Sequence, residues 1–271
     1  MDATVVLGMW KRYLEEIARY KVEFAYFLVA PIIWMLPLAF TGMALAGSRY
    51  SDYFEKLTGT GDYLSYVLIG TIFFYYAMSA IWGMGNYFRW EQEIGTLESL
   101  LTTPASRVDM ALGVALAEAT ISIAFSVVQL SIIAALFNVP FLLDRLASVF
   151  AVIVLLLATL YGLSMLFAAS VLVFKDPSVI LDASYGMLNV LTPLRYPTEV
   201  HPVTRVLSYL IPITYGFLAV RAIYLVGKSL FEVWPEILAL AVSCAMLWWV
   251  GAFAFRKAEE RIRREGSVTK F

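Results

Sequence analysis

The chain has 271 residues, of which 61% are hydrophobic and only 15% are charged, and its mean hydropathy is +0.77. In a soluble domain roughly a quarter of the residues are charged. This composition therefore excludes a soluble globular protein and indicates an integral membrane protein. The net charge of −1 gives no support to nucleic-acid binding, and the single cysteine, Cys244, excludes an intrachain disulfide.

The N-terminal segment, residues 1–23, is predicted to form an amphipathic helix. Val6, Trp10, Leu14 and Ile17 recur at helical spacing, with basic residues beside them. A helix of this kind lies in the membrane interface. The segment lacks the order of basic, apolar and small residues that marks a cleaved signal peptide.

Six apolar stretches are predicted to cross the membrane, because a helix of roughly 20 apolar residues spans the hydrocarbon core. The fifth is short for a span and follows a polar break. The predicted spans are residues 24–46, 63–88, 108–137, 146–174, 179–193 and 237–255. Without an internal repeat or linker, the chain reads as one all-α transmembrane domain over 1–271, with a bundle over 24–255 and a basic tail over 256–271.

A further apolar stretch, residues 203–226, is broken by Pro212 and decides the topology. With six spans and both termini inside, thirteen basic residues face the cytoplasm and seven face outward. A seventh span would move the basic C-terminal tail outside, against the positive-inside tendency. We therefore predict that this stretch is an extracellular re-entrant helical hairpin turning at Pro212, and that both termini are cytoplasmic.

The connection between the second and third spans contains the sequence EIGTLESLLTTP, residues 93–104. Ile94, Leu97 and Leu101 recur at helical spacing, and Pro104 ends the helix that they predict. Ser106 and Asp109 after it have the pattern of a capping box for the third span. A short amphipathic helix of this kind fits a groove on a partner; the alternative is a turn that covers the inner end of its own bundle.

Polar and aromatic residues at membrane depth are candidates for lining a transport pathway. Glu118 and Gln129 could share one side of the third span, and Asp182 and Asn189, seven residues apart, share a face of the fifth. In the second span the aromatic run 73–76 covers all faces of the helix, so at least one ring points inward, with Phe74 and Tyr75 as the candidates. The alternative for the polar residues is hydrogen bonding between helices, and for the rings it is packing.

Enzymatic and metal sites are not predicted. No GxxxxGK[ST] phosphate-binding loop occurs, so ATP would have to bind to a separate subunit. The only histidine, His201, has no second histidine or cysteine with which to form a metal site.

Three stretches of this sequence, in order among the predicted spans, resemble the ABC-2 family of ATP-binding-cassette permeases. They are EQEIGTLESLLTTPASR after the second span, FKDP at 174–177, and LTPLRYPTEVHPVTRVLSYLIPITYGFLAVRAIYLVG at 191–227. Each stretch is loose by itself, but all three occur in order among the six predicted spans, so the resemblance extends over nearly the whole chain. The basic residue at 195 departs from the aromatic or small residue often found there in the family, which leaves the charge of the substrate open.

The resemblance implies a role for each matching position. A cytoplasmic coupling helix that docks in a cleft of an ATPase would comprise Glu91, Glu93, Gly95, Thr96, Leu97, Glu98, Leu100 and Pro104. Residues 10–20 would touch the same ATPase, and Lys175, Asp176 and Pro177 would form a second, smaller contact. The extracellular hairpin would cap the outer side of the pathway, with Pro193, Pro197, Pro202, Pro212 and Arg221 as its marker residues.

The function that the resemblance implies is that of a permease subunit in an ATP-driven exporter at the plasma membrane. Two ATPase subunits would hold ATP and Mg²⁺, and two permease copies, as a homodimer or with a sister chain, would form the pathway and alternate in access. The expected cargo is a hydrophobic or amphipathic compound such as a drug or lipid; a polysaccharide or lipid-linked glycan is the alternative within the family. From another class, a secondary transporter without an ATPase would usually show inverted repeats, and none is visible.

Overall fold

A computed structural model describes residues 2–96, 99, 102–138, 143–173 and 178–265. Within these ranges the secondary structure is helical and no β-strand is formed, which confirms the all-α prediction. The helices are α1 (Ala3–Arg19), α2 (Lys21–Ala46), α3 (Asp52–Thr58), α4 (Tyr63–Glu93), α5 (Arg107–Phe137), α6 (Leu146–Val173), α7 (Ser178–Leu191), α8 (Pro202–Tyr209), α9 (Pro212–Arg221) and α10 (Trp234–Glu265). Short 3₁₀ turns cover Leu143–Arg145 and Thr198–Val200, and a π-turn covers Ala222–Val226.

Five of these helices, α2, α4, α5, α6 and α10, are long and apolar enough to cross a membrane. α7 has 14 residues, a length of about 21 Å at 1.5 Å per residue. That is shorter than the roughly 30 Å of the hydrocarbon core, so α7 does not reach across by itself. The predicted six spans include α7 and stay a prediction. A count of six is also reached if the bent pair Pro202–Tyr209 and Pro212–Val226 crosses the membrane as one span.

α6 is the central helix of the bundle and packs against α4, α9 and α10. Its apolar side chains, such as Leu160 and Met165, are fully buried in this core. The junction with α10 also contains a polar contact, in which Trp248 Nε1 donates to the carbonyl oxygen of Ala158 at 2.8 Å. Such interhelical hydrogen bonds add to van der Waals packing inside a membrane, where burial between apolar helices gives little driving force.

α2 contains Pro31, which cannot donate a backbone hydrogen bond to the carbonyl oxygen of Phe27, four residues earlier. Gln129 of α5 supplies the missing donor. Its Nε2 lies 3.3 Å from the oxygen of Phe27 and 2.8 Å from that of Leu28. Gln129 is fully buried, so the structure favours the interhelical hydrogen-bonding alternative for this residue over a place on the pathway.

The end of the bundle where α2 ends and α4 begins, which we call the outer end, has an ion pair between Arg49 and Asp62. Arg49 Nη2 lies 2.7 Å from Asp62 Oδ2, and Arg49 Nη1 donates to the carbonyl oxygen of Phe137 at 2.7 Å. Although burial acts to raise the pKa of Asp62, hydrogen bonds from Arg49 and Ser65 hold it below its ordinary value. The pair joins the end of α2 to the start of α4 and the end of α5.

The predicted turn at Pro212 is present. α8 and the following α9 with its π-turn meet at an angle of 102°. Pro202 and Pro212 occupy the first helical positions of α8 and α9, where the missing N–H of proline costs nothing and its fixed φ favours the helix. The placement of this bent pair in the outer leaflet stays a prediction.

Candidate functional site

α4 and α5 are longer than the membrane requires. Each has 31 residues, a length of about 46 Å at 1.5 Å per residue. The hydrocarbon core is only about 30 Å thick, so about 16 Å of each helix extends beyond it. We call the end of the bundle where residues 94–106 connect these two helices the inner end, and α1 packs there.

The contact of α1 with α5 depends on a close approach at Gly113. A Cβ atom at this position would lie 2.5 Å from the Cβ atom of Met9 and 2.6 Å from the carbonyl oxygen of Val6, so a larger residue would push the helices apart. Trp10 Nε1 also donates to Thr120 Oγ1 at 3.1 Å. The predicted amphipathic helix is therefore present, and it packs directly on the bundle.

The capping box predicted at the start of α5 is not formed. Ser106 is the N-cap residue, but its side chain makes no capping hydrogen bond. The Asp109 carboxylate accepts a hydrogen bond from the backbone N–H of Asp2 at 2.8 Å, and the Asp2 carboxylate accepts one from the N–H of Thr4 at 2.9 Å. Asp109 therefore joins the start of α1 to α5 instead of capping its own helix.

Glu91 is the second link between α1 and the bundle. Its side chain is only 1% exposed, and Oε1 accepts a hydrogen bond from Arg12 Nη2 at 2.8 Å. Oε2 accepts a hydrogen bond from the Thr96 hydroxyl. The carboxylate is thus bonded within the chain, where it orients α1 and the start of the connection relative to each other. Its predicted contact with a partner subunit stays a prediction.

α4 ends at Glu93, and Gly95 follows two residues later with a φ of +77°, in the left-handed region. The N–H of Thr96 donates to the carbonyl oxygen of Glu91 at 2.9 Å, which is the six-residue hydrogen bond of a Schellman helix end. A Cβ atom at Gly95 would meet nothing within 4 Å, so glycine is required by the backbone angle and not by crowding. Glu91 and Glu93 therefore belong to the last turn of α4 and not to a separate short helix.

Glu118 forms a third buried contact at the inner end. Its carboxylate accepts hydrogen bonds from the Tyr13 hydroxyl of α1 and from Ser79 Oγ of α4, the latter at 3.0 Å. Burial, together with the neighbouring carboxylate, raises the pKa of Tyr13, so the phenol keeps the proton that it donates. Glu118 is 8% exposed and connects three helices, which supports the interhelical alternative for this residue.

The connection itself is described only in part. Ser99 and Thr102 have helical backbone, and the Thr102 hydroxyl donates to the carbonyl oxygen of Ser99 at 2.9 Å. Pro104 is exposed. The other predicted contact residues, Leu97, Glu98, Leu100, Lys175 and Asp176, lie outside the described residues, so their roles stay predictions.

Of the remaining pathway candidates, Phe74 lies between α4 and α7, whereas Tyr75 lies near Tyr26 and Glu118. The ring of Phe74 lies 5.8 Å from that of Tyr185, centroid to centroid. Asp182 is exposed and Asn189 partly exposed on α7, while Tyr75 is half-buried on α4. The structure thus brings Phe74 to the helix that carries Asp182 and Asn189, and it keeps Glu118 and Gln129 apart from them on α5.

The hairpin is fastened to the bundle by Arg221, at the end of α9. Its guanidinium donates to the carbonyl oxygens of Pro193, Leu194 and Tyr66, the last two at 2.9 and 3.0 Å. The charge also lies 3.5 Å from the centroid of the Tyr66 ring. Arg221 is 4% exposed and has no acidic partner among the described residues, so carbonyl dipoles and an aromatic face take the place of a counter-ion. The loop positions Pro193 and Pro197 are also buried.

No group of three or more metal-ligating side chains occurs within the described residues. The structure, a bundle of membrane-length helices with a tightly joined inner end and a hairpin fastened by Arg221, fits the multi-pass membrane protein that the sequence predicts.

Comparison with known proteins supports this interpretation at the level of the family. No curated protein matches the chain. The sequence model of the ABC-2 type transporter family matches residues 4–225, which run from the start of α1 to the π-turn after α9. The chain is thus a multi-pass membrane protein of a family whose permeases generally work with an ATPase subunit. It belongs to the ABC-2 type transporter family, as a transporter permease.

Proposed function

We propose that this permease is the transmembrane subunit of an ATP-driven exporter for a hydrophobic or amphipathic compound, and that its inner end docks on a cytoplasmic ATPase. The observation that carries the proposal is the junction of Arg12, Glu91 and Thr96. It fixes α1 and the start of the 94–106 connection to the same turn of α4. A force applied to the connection by an ATPase is then delivered to α4 and, through α1, to α5.

Two permease copies and two ATPases would form the working unit, with both termini in the cytoplasm. ATP and Mg²⁺ would bind to the ATPases, and their closure would shift the permease bundles from an inward-facing to an outward-facing state. This chain would perform no hydrolysis itself. The exposed face of α7 supports a pathway between the copies, because a carboxylate on that face is costly against lipid.

The experiment compares two glycines with the same backbone geometry at opposite ends of the bundle. Gly95 and Gly47 both have positive φ, +77° and +72°, and a Cβ atom at either would meet nothing within 4 Å. Gly95→Trp places a bulky side chain at the proposed docking surface, whereas Gly47→Trp places the same side chain at the outer end. Each variant is purified with the ATPase subunit that accompanies the native chain, and ATP turnover is measured in proteoliposomes.

The proposal expects Gly95→Trp to lose co-purification or ATP turnover while Gly47→Trp keeps both. Both variants must reach the membrane in native amounts. If the two variants have equal activity, the ATPase does not dock at the inner end near Gly95. If the native chain transports without any ATPase, it is a secondary transporter.

A further inference from the structure

α7 is buried along one side only, and its exposed surface carries apolar side chains such as Met187 and Val190 as well as a polar stripe. Leu188 and Leu191, on one side, are buried or partly buried toward the bundle. On the other side Asp182, Tyr185 and Gly186 are exposed. Residues spaced by three, four and seven share a helix face, so these three residues form one stripe with Asn189, which we call the α7 stripe.

The Asp182 carboxylate has no hydrogen bond or ion pair within the described residues. α7 begins at Ser178, just after the inner end of α6, so Asp182 lies about 6 Å along the helix from the inner end. A carboxylate costs several kcal/mol against hydrocarbon. The stripe must therefore face water, another protein chain or a ligand of opposite charge.

Aromatic surface lies beside this charge. The Tyr185 ring is 45% exposed and contacts Phe74 of α4 at 5.8 Å between ring centroids. Gly186 leaves open space next to it, since a Cβ atom there would meet nothing within 4 Å. A carboxylate next to one exposed ring, that of Tyr185, attracts organic cations through charge and through the negative face of the ring.

We propose that the α7 stripe binds an amphipathic organic cation, with Asp182 holding the charge and Tyr185 the apolar rings. This assignment of the substrate class rests on the proposed transport function. Two permease copies related by a twofold axis along this face would bring two Asp182 carboxylates toward each other, and like charges repel unless a cation lies between them. Charge complementarity therefore favours a cation over a second copy as the occupant of the stripe.

The test uses two probes of matched size and shape, tetraphenylphosphonium and tetraphenylborate, which differ in the sign of their charge. Equilibrium binding of each is measured on the full chain in nanodiscs. We expect the native chain to bind the phosphonium and to bind the borate at least about tenfold more weakly. Asp182→Asn should weaken phosphonium binding about tenfold, because the neutral amide keeps the shape but not the charge.

Matched variants separate the site from general effects. Asp182→Glu keeps the charge and should retain most of the binding, and Tyr185→Phe should retain more than Tyr185→Leu. Asp52→Asn removes an exposed acidic residue of α3 at the outer end and should leave binding unchanged. Elution volume and thermal unfolding confirm that each variant is folded.

Three results would overturn the inference. The native chain could bind both probes equally, the Asp182→Asn variant could bind the phosphonium as well as the native chain does, or that variant could change from dimer to monomer, which would make Asp182 an interface contact. The comparison of probes on the native chain holds even if a variant fails to fold. Co-purification of the ATPase with Asp182→Asn is measured separately, so failure of the proposed function is distinguished from failure of the α7 stripe.

Discussion

The junction of Arg12 with Glu91 predicts an unequal response to mutation of its two members. Arg12 is 46% exposed, whereas Glu91 is only 1% exposed. Replacing Arg12 by methionine leaves a buried carboxylate without its charged partner. Replacing Glu91 by glutamine leaves an arginine that can return to water. The first change should therefore destabilise the protein more than the second.

The magnitudes follow from the burial of each group. Breaking a buried ion pair by removing one partner costs about 3–5 kcal/mol, and the exposure of Arg12 places Arg12→Met toward about 2–3 kcal/mol. Glu91→Gln keeps an oxygen acceptor for Arg12 and should cost about 1 kcal/mol. The double variant buries no charge, so it should be more stable than Arg12→Met alone. In a chain of this size the 1–2 kcal/mol recovered raises Tm by about 2–5 °C.

The assay is thermal unfolding of the purified protein in detergent at pH 7, followed by tryptophan fluorescence for the native chain, both single variants and the double variant. The decisive quantity is the sign of the difference between the double variant and Arg12→Met. If the double variant unfolds at a lower temperature, so that the two losses simply add, then the Glu91 carboxylate does not depend on Arg12 and the reasoning from burial is refuted.

Three further predictions concern other parts of the chain. Arg221→Met should lower the stability by about 3–5 kcal/mol, because three backbone carbonyls lose a charged donor, and this is measured as a fall in Tm. Gly95→Ala forces alanine to a φ of +77°, which costs about 1–2 kcal/mol; the same thermal assay and ATP turnover in the assembled complex should both show a loss. Asp62→Asn should destabilise at pH 7, and its difference from the native chain should shrink as the pH falls. The sign follows from the depressed pKa of Asp62 in the folded state: the stabilisation is complete above the unfolded pKa of about 3.9 and disappears as the pH drops through the folded value.

Each of these predictions has its own control. Arg221→Lys retains the charge but not the forked geometry, so its Tm should lie between those of the native chain and Arg221→Met. If Arg221→Lys loses as much stability as Arg221→Met, the charge by itself does not stabilise the hairpin. Gly47→Ala imposes the same backbone cost at the outer end and should leave ATP turnover intact, and loss of turnover there would contradict the role given to Gly95. For Asp62, a difference from the asparagine variant that stays constant between pH 7 and pH 3 would show that the ion pair with Arg49 is not what stabilises the folded state.

The long helices could be predicted from the sequence because apolar length alone determines whether a segment can cross a membrane. Their ends were less accurate. The second span was predicted to end at residue 88, but α4 continues to Glu93, since the charged and polar residues after 88 are compatible with a helix. The helix ends just before Gly95. The positive φ of this residue, which the sequence does not reveal, is incompatible with a continuing α-helix.

Contacts between distant residues could not be predicted, because a periodic pattern indicates a face but not the helix that faces it. Arg12 is one of several basic residues in the first segment, and nothing in the sequence links it to a glutamate 79 positions later. For Gln129 the sequence does contain a weak signal of its contact with α2. Pro31 must leave a carbonyl oxygen without its donor, and a buried amide at membrane depth is a suitable substitute.

The amide of Gln129 also affects how α2 can deform. An unbroken helix resists bending because each bend strains hydrogen bonds of its own backbone, whereas at Pro31 the acceptor oxygens are already served from α5. Flexing of α2 at this level therefore strains one backbone hydrogen bond fewer than elsewhere, and it pulls on the neighbouring α5 through the amide of Gln129. That neighbour is the helix whose first turns carry α1. α5 therefore contacts α2 at the level of Pro31 and α1 near its own first turns. A movement of α2 at Pro31 and a movement of α1 both act on α5, so the two movements are coupled through this helix.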